Sequence, residues 1–354
     1  MRPYTAILII PTGIGAAIGG YAGDGLPVAK AMSQVVDRLI THPNVMNGAM
    51  MYWPIPNTLY VEGYGLDRFA SGNWGLRPVH QNKIGIILDQ EIEPELRIRQ
   101  LQAADAARAT LGLQISDYII TDAPLGVELQ ISNSGSSWGT IRNPDALLQA
   151  ADQLIQKANV NAIAVVARFP DEIDPIADLN YRKGQGVDPI AGCEAIISHL
   201  IVREFQIPCA HAPAFSPPPL DTNLSPRSAA EEIGYTFLPS VLVGLHRAPQ
   251  FLSHPSDPFP QPWDIWSNQV DALVIPATAS GNSCVMHLSQ QNTLIIAVEE
   301  NYTQIQVLPH TIGIKSLQVQ SYLEAIGILA AHKSGIDPQG FITTKSSQHI
   351  ERLT

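Results

Sequence analysis

The strongest constraint on the fold is a series of short, continuous apolar runs that alternate with segments of helical length. Residues 6–10, 83–88 and 162–167 form three such runs, and residues 94–111 and 144–158 have the composition of helices. A run with no polar face is typical of a strand buried on both sides, as in a parallel sheet. The alternation predicts βαβ units. We therefore expect a three-layer α/β protein with a mostly parallel sheet and helices on both faces.

The chain of 354 residues is long enough for one large α/β unit or for two lobes. Residues 171–189 contain four aspartates, one glutamate, two prolines and two glycines, with little apolar periodicity. Such a segment is typical of a linker or a long functional loop. We predict an α/β lobe at residues 1–170 with the glycine-rich loop, a second α/β lobe at 190–340, and a tail at 341–354.

Charge and cysteine content limit the classes of partner and the location. The net charge is −11 and the 21 basic residues are scattered, which argues against binding to nucleic acid. Three widely spaced cysteines favour reduced thiols in the cytoplasm. Arg2 and the apolar run after it resemble a signal peptide, but Pro11 and Gly13 interrupt the run and a strand is favoured. No run reaches the ~18–20 apolar residues of a membrane span. We expect a soluble cytoplasmic protein with no membrane partner. The sequence leaves open whether the protein forms homo-oligomers.

A glycine-rich segment follows the first apolar run and contains Gly13, Gly15, Gly19 and Gly20. Glycines without a Cβ atom let backbone N–H groups approach an anion closely, and Thr12 adds a hydroxyl donor. The spacing differs from the dinucleotide fingerprint, and the segment lacks the Lys-Ser/Thr pair of a Walker loop. We predict a cradle for a small anionic metabolite, such as a nucleotide or a sugar phosphate. The alternative is a structural loop that lets chain segments pack closely.

Residues 272–281 echo the start of the chain. Both segments begin as a buried-type strand, end in Ile-Pro and continue into a loop of small residues. If the two strands are neighbours, their loops meet at one sheet edge, and Ser280 and Gly281 join the ligand site. Chance similarity between two apolar strands is the alternative.

Two residues are candidates for acid–base catalysis. His211 ends an apolar segment among small residues, and Glu299 follows a predicted strand. Ligands bind at the carboxyl ends of strands in open α/β sheets, so either side chain could reach a substrate there. In addition, Arg182 and Lys183 could clasp a phosphate or carboxylate. The alternatives are a buried, hydrogen-bonded histidine and solvated loop charges.

The sequence supports no zinc site, because the ten histidines include no H-x-H or H-E-x-x-H pattern. Glu299, Glu300 and Asp89 follow predicted strands and leave a metal-dependent hydrolase as a weaker hypothesis. The leading hypothesis is an enzyme of unknown reaction that acts on a small anionic metabolite. The second is a non-catalytic metabolite-binding regulator or assembly factor. These residues indicate no particular cofactor.

Four stretches carry a resemblance to a known family. They are Ile-Pro-Thr-Gly-Ile-Gly at residues 10–15, Thr-His-Pro-Asn-Val at 41–45, Ile-Pro-Cys-Ala-His-Ala-Pro at 207–213 and Ile-Ala-Val-Glu-Glu-Asn at 296–301. Together they resemble a domain of unknown function found in cyanobacteria and photosynthetic eukaryotes. The resemblance spans most of the chain and implies a cyanobacterial or plastid-type protein. It implies no activity and no catalytic residues.

Overall fold

The computed structural model describes residues 2–21, 24–47, 53–132, 136–170, 175–217, 219–233, 237–253 and 259–341. Apart from Phe341, the tail predicted at 341–354 lies outside these residues.

Fourteen strands occur in this part of the chain. In chain order they are β1 (Thr5–Leu8), β2 (Arg38–Thr41), β3 (Thr58–Tyr60), β4 (Gly75–Arg77), β5 (Ile84–Leu88), β6 (Ile115–Ile120), β7 (Val127–Ile131), β8 (Ser137–Ile141), β9 (Ala162–Arg168), β10 (Cys209–Ala214), β11 (Gln250–Leu252), β12 (Ala272–Pro276), β13 (Leu294–Val298) and β14 (Leu317–Val319).

Eleven α-helices lie between these strands in the described residues. They are α1 (Leu26–Ser33), α2 (Pro43–Met46), α3 (Gly63–Ala70), α4 (Pro94–Leu111), α5 (Pro144–Ala158), α6 (Pro175–Arg182), α7 (Ala191–Phe205), α8 (Pro226–Ile233), α9 (Leu238–His246), α10 (Ser283–Leu288) and α11 (Tyr322–Lys333). Short 3₁₀ turns occur at Ser267–Gln269, Pro309–Ile312 and Pro338–Phe341.

The strands form two parallel sheets and two antiparallel pairs. The first sheet has six strands in the order β14-β13-β12-β1-β2-β3, and the second has four in the order β10-β9-β5-β6. All ladders within these two sheets are parallel. The antiparallel pairs are β4 with β11 and β7 with β8. The prediction of a mostly parallel α/β fold is confirmed.

Strands β1 and β12 are direct neighbours, with Ala6 opposite Ala272 and Leu8 opposite Val274. The two strands with similar sequences, each followed by a loop of small residues, therefore lie side by side. Their pairing also joins the two ends of the chain in one sheet. Strands from before and after residues 171–189, where the sequence predicts a linker or functional loop, lie in this one sheet.

Alternate side chains of each sheet enter different layers. In the first sheet, Leu8 and Leu39 pack in the same apolar cluster as Met32 of α1, whereas Ile7 and Ile40 pack with Phe69 of α3 on the opposite face. The second sheet likewise has α9 on one face and α5 and α7 on the other. Helices therefore cover both faces of each sheet, as expected for continuous apolar strands.

Local sequence explains where several helices end. Proline occupies the first turn of α4 and α5, where its missing N–H costs no intrahelical hydrogen bond. Gly112, with φ 68°, directly follows α4, and Asn159, with φ 50°, directly follows α5. Both residue types tolerate the left-handed conformation that closes a helix. These two helices match their predicted bounds.

Candidate functional site

A cavity of about 670 Å³ lies between the two parallel sheets. Its walls include the residues that follow β1, β2 and β3, together with parts of α6, α7 and β10. Helix α3, which follows β3, packs against α7 and so links the layers on either side of the cavity. The carboxyl ends of parallel strands are the usual place for ligands in α/β proteins, and the volume is typical of small-molecule sites.

A carboxylate–imidazole pair lies in the wall. Glu62 Oε1 lies 2.8 Å from His199 Nε2, and the Glu62 side chain is 3% exposed against 39% for His199. Glu62 immediately precedes α3 and accepts hydrogen bonds from the backbone N–H groups of Tyr64 and Gly65. These amides fix the carboxylate, and the carboxylate in turn fixes the imidazole ring. Both residues contact the cavity.

The environment of His199 makes its imidazole more basic than usual. Burial lowers the pKa of His199, but the hydrogen bond to Glu62 and the negative charges of Glu62 and Asp67 outweigh burial and raise that pKa overall. Because Nε2 is directed at the carboxylate, it carries a proton, which leaves Nδ1 as the nitrogen that can give or take a proton.

A second histidine, His211 on β10, contacts the same cavity in a different environment. Its Nδ1 lies 2.8 Å from Ser198 Oγ, and its Nε2 lies 3.8 Å from Glu194 Oε2. Burial, aided by the positive charge of His199, lowers the pKa of His211 to about 3. His211 is therefore neutral at physiological pH. Its hydrogen bond to Ser198 is compatible with an acid–base role and with the alternative of a buried, hydrogen-bonded histidine.

Two further carboxyl groups in the wall hold protons more tightly than usual. Burial raises the pKa of Asp67, although a hydrogen bond with Ser283 opposes the shift. Burial also raises the pKa of Asp188 to about 6, against the hydrogen bonds from the backbone of Ile190 and Ala191. Desolvation disfavours the charged form of an acid, so these groups ionise fully only above the pH at which an exposed aspartate does.

Four of the residues predicted to form the site contact the cavity. They are Thr12, Gly20, Arg182 and His211. Arg182 also donates from Nη2 to the Pro219 carbonyl oxygen at 3.1 Å. Thus one part of the glycine segment, the basic residue of α6 and the histidine of β10 meet in one place, although they are distant in sequence.

Three of the predicted cradle glycines face other parts of the protein. A Cβ atom on Gly13 would lie 2.6 Å from Ser137 Oγ, and one on Gly15 would lie 3.0 Å from the Gln304 side chain. A Cβ atom on Gly19 would lie 2.7 Å from Ile10. These positions need glycine because neighbouring segments approach closely, which is the structural alternative considered from the sequence.

The remaining predicted residues lie away from the cavity wall. Ser280 is fully buried and donates to the Ala277 carbonyl oxygen at 3.1 Å, while Gly281 is exposed beside Val307. Glu299 is exposed and accepts a hydrogen bond from Gln320 Nε2 at 2.5 Å. Lys183 is exposed at the end of α6. None of these four is among the described residues that line the cavity.

The acids of the metal-hydrolase hypothesis belong to different sheets. Asp89 follows β5 and accepts hydrogen bonds from the backbone N–H groups of Leu125 and Arg168, whereas Glu299 and Glu300 follow β13. Within the described residues, no group of three or more His, Cys, Asp or Glu side chains is arranged to hold a metal ion.

The sequence patterns did not single out Glu62 and His199. Glu62 is a strand-end acid, and that signal could have placed it with Asp89 and Glu299. His199 lies inside a helix with no local motif, and only the packing of α3 on α7 brings it to Glu62. Ser198 and Glu194 lie four residues apart on α7, so their side chains share one face of the helix. That spacing was a weaker signal of a functional face.

Fold and site together define an α/β protein with a cavity at the carboxyl ends of its parallel strands. The chain belongs to a family described as protein of unknown function, DUF3326, which matches residues 5–342. This confirms the resemblance to an uncharacterised family that the sequence motifs indicate.

A cyanobacterial relative is 58% identical over 337 residues, which is 95% of this chain and 93% of the relative. It is an uncharacterised lipoprotein of Synechococcus sp.. Because a lipoprotein is held at a membrane by its lipid, this relative contradicts the cytoplasmic location expected from the cysteines and the N-terminal segment. That prediction is wrong. No helix in the described residues is long and apolar enough to cross a membrane.

A solved structure, the periplasmic ribose ABC transporter of Conexibacter woesei, is 13% identical and covers 54% of this chain and 75% of its own. The TM-score is 0.18, which is too low to support an argument about fold or function.

Proposed function

We propose that the protein is an enzyme that transfers a proton to or from a small polar metabolite bound in the cavity between the two sheets. His199 is the acid–base residue, and Glu62 orients it. The observation that carries this proposal is the 2.8 Å contact between the buried Glu62 carboxylate and His199 Nε2 at the wall of the cavity. An ion pair that only stabilises the fold would not require a cavity next to its histidine.

The pairing gives His199 the properties that general acid–base catalysis requires. The carboxylate selects one tautomer, limits rotation of the ring and stabilises the imidazolium that forms when Nδ1 takes a proton. The raised pKa of His199 means that its imidazole binds a proton more tightly than an ordinary histidine does, as a base in catalysis must. The same principle explains why carboxylate–histidine pairs recur in hydrolytic sites.

The lining bears on the charge of the metabolite. Four carboxyl side chains contact the cavity, those of Glu62, Asp67, Asp188 and Glu194, and Arg182 is the arginine that does so. A lining with this excess of acids favours a neutral or positively charged ligand over the anionic metabolite predicted from the glycine segment. The tyrosines Tyr21 and Tyr181 stack at a centroid distance of 4.3 Å and add an apolar wall.

The test is to incubate the purified protein with a cyanobacterial metabolite extract and compare metabolite masses before and after. The His199→Asn variant removes the base while retaining an amide that can bond Glu62. The matched control is His310→Asn, which changes an exposed histidine away from the cavity. We expect wild type and His310→Asn to convert the same metabolite, and His199→Asn to lose at least 100-fold in rate, as is typical for loss of an acid–base residue.

Two results would contradict the proposal. Equal conversion by wild type and His199→Asn would show that chemistry does not depend on this base. No conversion by any variant, together with a ligand that raises the thermal midpoint of wild type and His199→Asn equally, would favour the non-catalytic metabolite-binding regulator.

A further inference from the structure

His42 lies at the end of β2 and contacts the cavity from the first sheet. Its side chain is nearly buried, with 8% of the residue exposed. The backbone N–H of Ile10 donates to His42 Nε2 at 3.1 Å. A backbone amide can only donate, so Nε2 must offer its lone pair.

This one contact determines the tautomer of the ring. A neutral imidazole carries a proton on one nitrogen, and with Nε2 acting as acceptor that proton is on Nδ1. Burial lowers the pKa of His42 to about 4, so the ring stays neutral through the physiological range. His42 is thus a fixed N–H donor, and it does not exchange its proton as His199 does.

Within the described residues, the Nδ1–H group has no hydrogen-bond partner. The side chain does not cap α2, the helix that follows directly. Nδ1 is not sealed from solvent, and His42 is one of the residues that line the cavity. A donor that the fold leaves unpaired at a cavity wall needs an acceptor from water or from a ligand.

We propose that His42 donates a hydrogen bond from Nδ1 to a carbonyl oxygen of the ligand, so that the substrate is a small carbonyl compound. This inference rests on the proposed function of His199 as the base. The fold fixes both the position and the tautomer of this N–H donor, so an oxygen that can only accept a hydrogen bond has a fixed partner at His42.

The chemistry that follows is proton removal next to the carbonyl. His199 Nδ1 takes the proton from the adjacent carbon, the C–H electron pair forms a C=C bond, and the carbonyl π electrons move to oxygen. The His42 N–H then faces an oxyanion, to which a hydrogen bond is stronger than to the neutral carbonyl. Return of the proton from His199 to carbon or oxygen restores the enzyme without any co-reactant.

The first test is nitrogen NMR of protein labelled with ¹⁵N-histidine. We expect His42 to show a protonated Nδ1 and an unprotonated Nε2 from pH 5 to pH 8. Addition of acetamide, a neutral carbonyl probe, should move the Nδ1 resonance, while exposed His310 in the same spectrum stays constant. A protonated Nε2, a cationic ring at pH 6, or a Nδ1 resonance that ignores saturating acetamide would each overturn the proposal.

The second test compares two substitutions. In His42→Gln, the side-chain carbonyl can accept from Ile10 and the NH₂ group can donate into the cavity, whereas His42→Phe provides neither. We expect acetamide to raise the thermal midpoint of wild type and His42→Gln but not that of His42→Phe. An equal rise in all three proteins would overturn the inference. Because neither readout needs turnover, failure of the metabolite assay would count against His199 as the base and leave the donor assignment intact.

Discussion

At the scale of single residues, three histidines line the cavity, and their surroundings shift their pKa values in opposite directions. The pKa of His199 is raised overall despite burial, whereas burial lowers the pKa of His211 to about 3 and that of His42 to about 4. Pairs of ionisable groups whose pKa values are driven apart are typical of acid–base sites. In this cavity one histidine is available to exchange protons and two are held neutral.

At the scale of elements, the glycine segment works mainly by letting chains approach. Gly13 has φ +69°, and its carbonyl oxygen accepts a hydrogen bond from the backbone N–H of Ser137 at 3.0 Å. Gly192, at the start of α7, shows the same need, because a Cβ atom there would lie 2.3 Å from the Ser137 carbonyl oxygen. Both glycines thus allow the β7–β8 hairpin to pack closely against the segments that form the cavity.

A matched pair of substitutions separates backbone strain from close packing. Gly112 has φ +68°, nearly that of Gly13, but a Cβ atom there meets nothing within 4 Å. We expect Gly112→Ala to cost about 1–2 kcal/mol of unfolding free energy from the left-handed backbone alone. Gly13→Ala should cost roughly 1–3 kcal/mol more, because its methyl group overlaps Ser137.

Urea unfolding of the two variants and wild type measures the difference. Equal losses in Gly13→Ala and Gly112→Ala would show that the hairpin yields freely and that close packing at Gly13 is unimportant. Retained stability in Gly13→Ala would return the segment to the ligand-cradle hypothesis.

Elements with local signals were predicted well from the sequence, and those set by distant pairing were not. Helices α4 and α5 carry their own start and stop residues. The apolar spacing of residues 26–39 would suit one continuous helix, but α1 ends at Ser33, because Arg38, Leu39 and Ile40 pair with β1 and continue the sheet. Likewise Leu317–Val319 could be read from the sequence as the start of the last helix, but it forms β14 beside β13. Apolar residues are compatible with a helix or with a strand, and pairing with a neighbouring strand determines which of the two forms.

At the scale of the whole molecule, the two sheets share one apolar cluster. It includes Leu8 and Val274 of the first sheet and Ile86, Val166 and Ala212 of the second. A sequence can show that strands are buried, but it cannot show that β12 returns to lie beside β1, because that pairing depends on the packing of the entire chain. The packing of α3 on α7, which is likewise a contact between distant parts of the chain, brings Glu62 to His199.

The shared cluster predicts that both sheets unfold together. Cys209 lies on β10 of the second sheet, and Cys284 lies on α10 against the first, and both are buried. In increasing urea, we expect the two thiols to become reactive toward iodoacetamide at the same concentration, read by peptide mass spectrometry. Labelling of Cys209 at a clearly lower urea concentration than Cys284 would show instead that the lobes unfold separately.

The central claim is that Glu62 holds His199 ready to exchange a proton at the cavity, and the most direct test is the NMR titration of His199 in wild type and Glu62→Gln. Glutamine keeps an acceptor for the backbone amides of α3 but removes the charge. We predict a pKa of His199 above the ordinary 6.5 in wild type, and a lower pKa in the variant because the charge and the hydrogen bond of Glu62 are what raise it. A pKa that is the same in both proteins, or at or below 6.5 in wild type, would contradict the account.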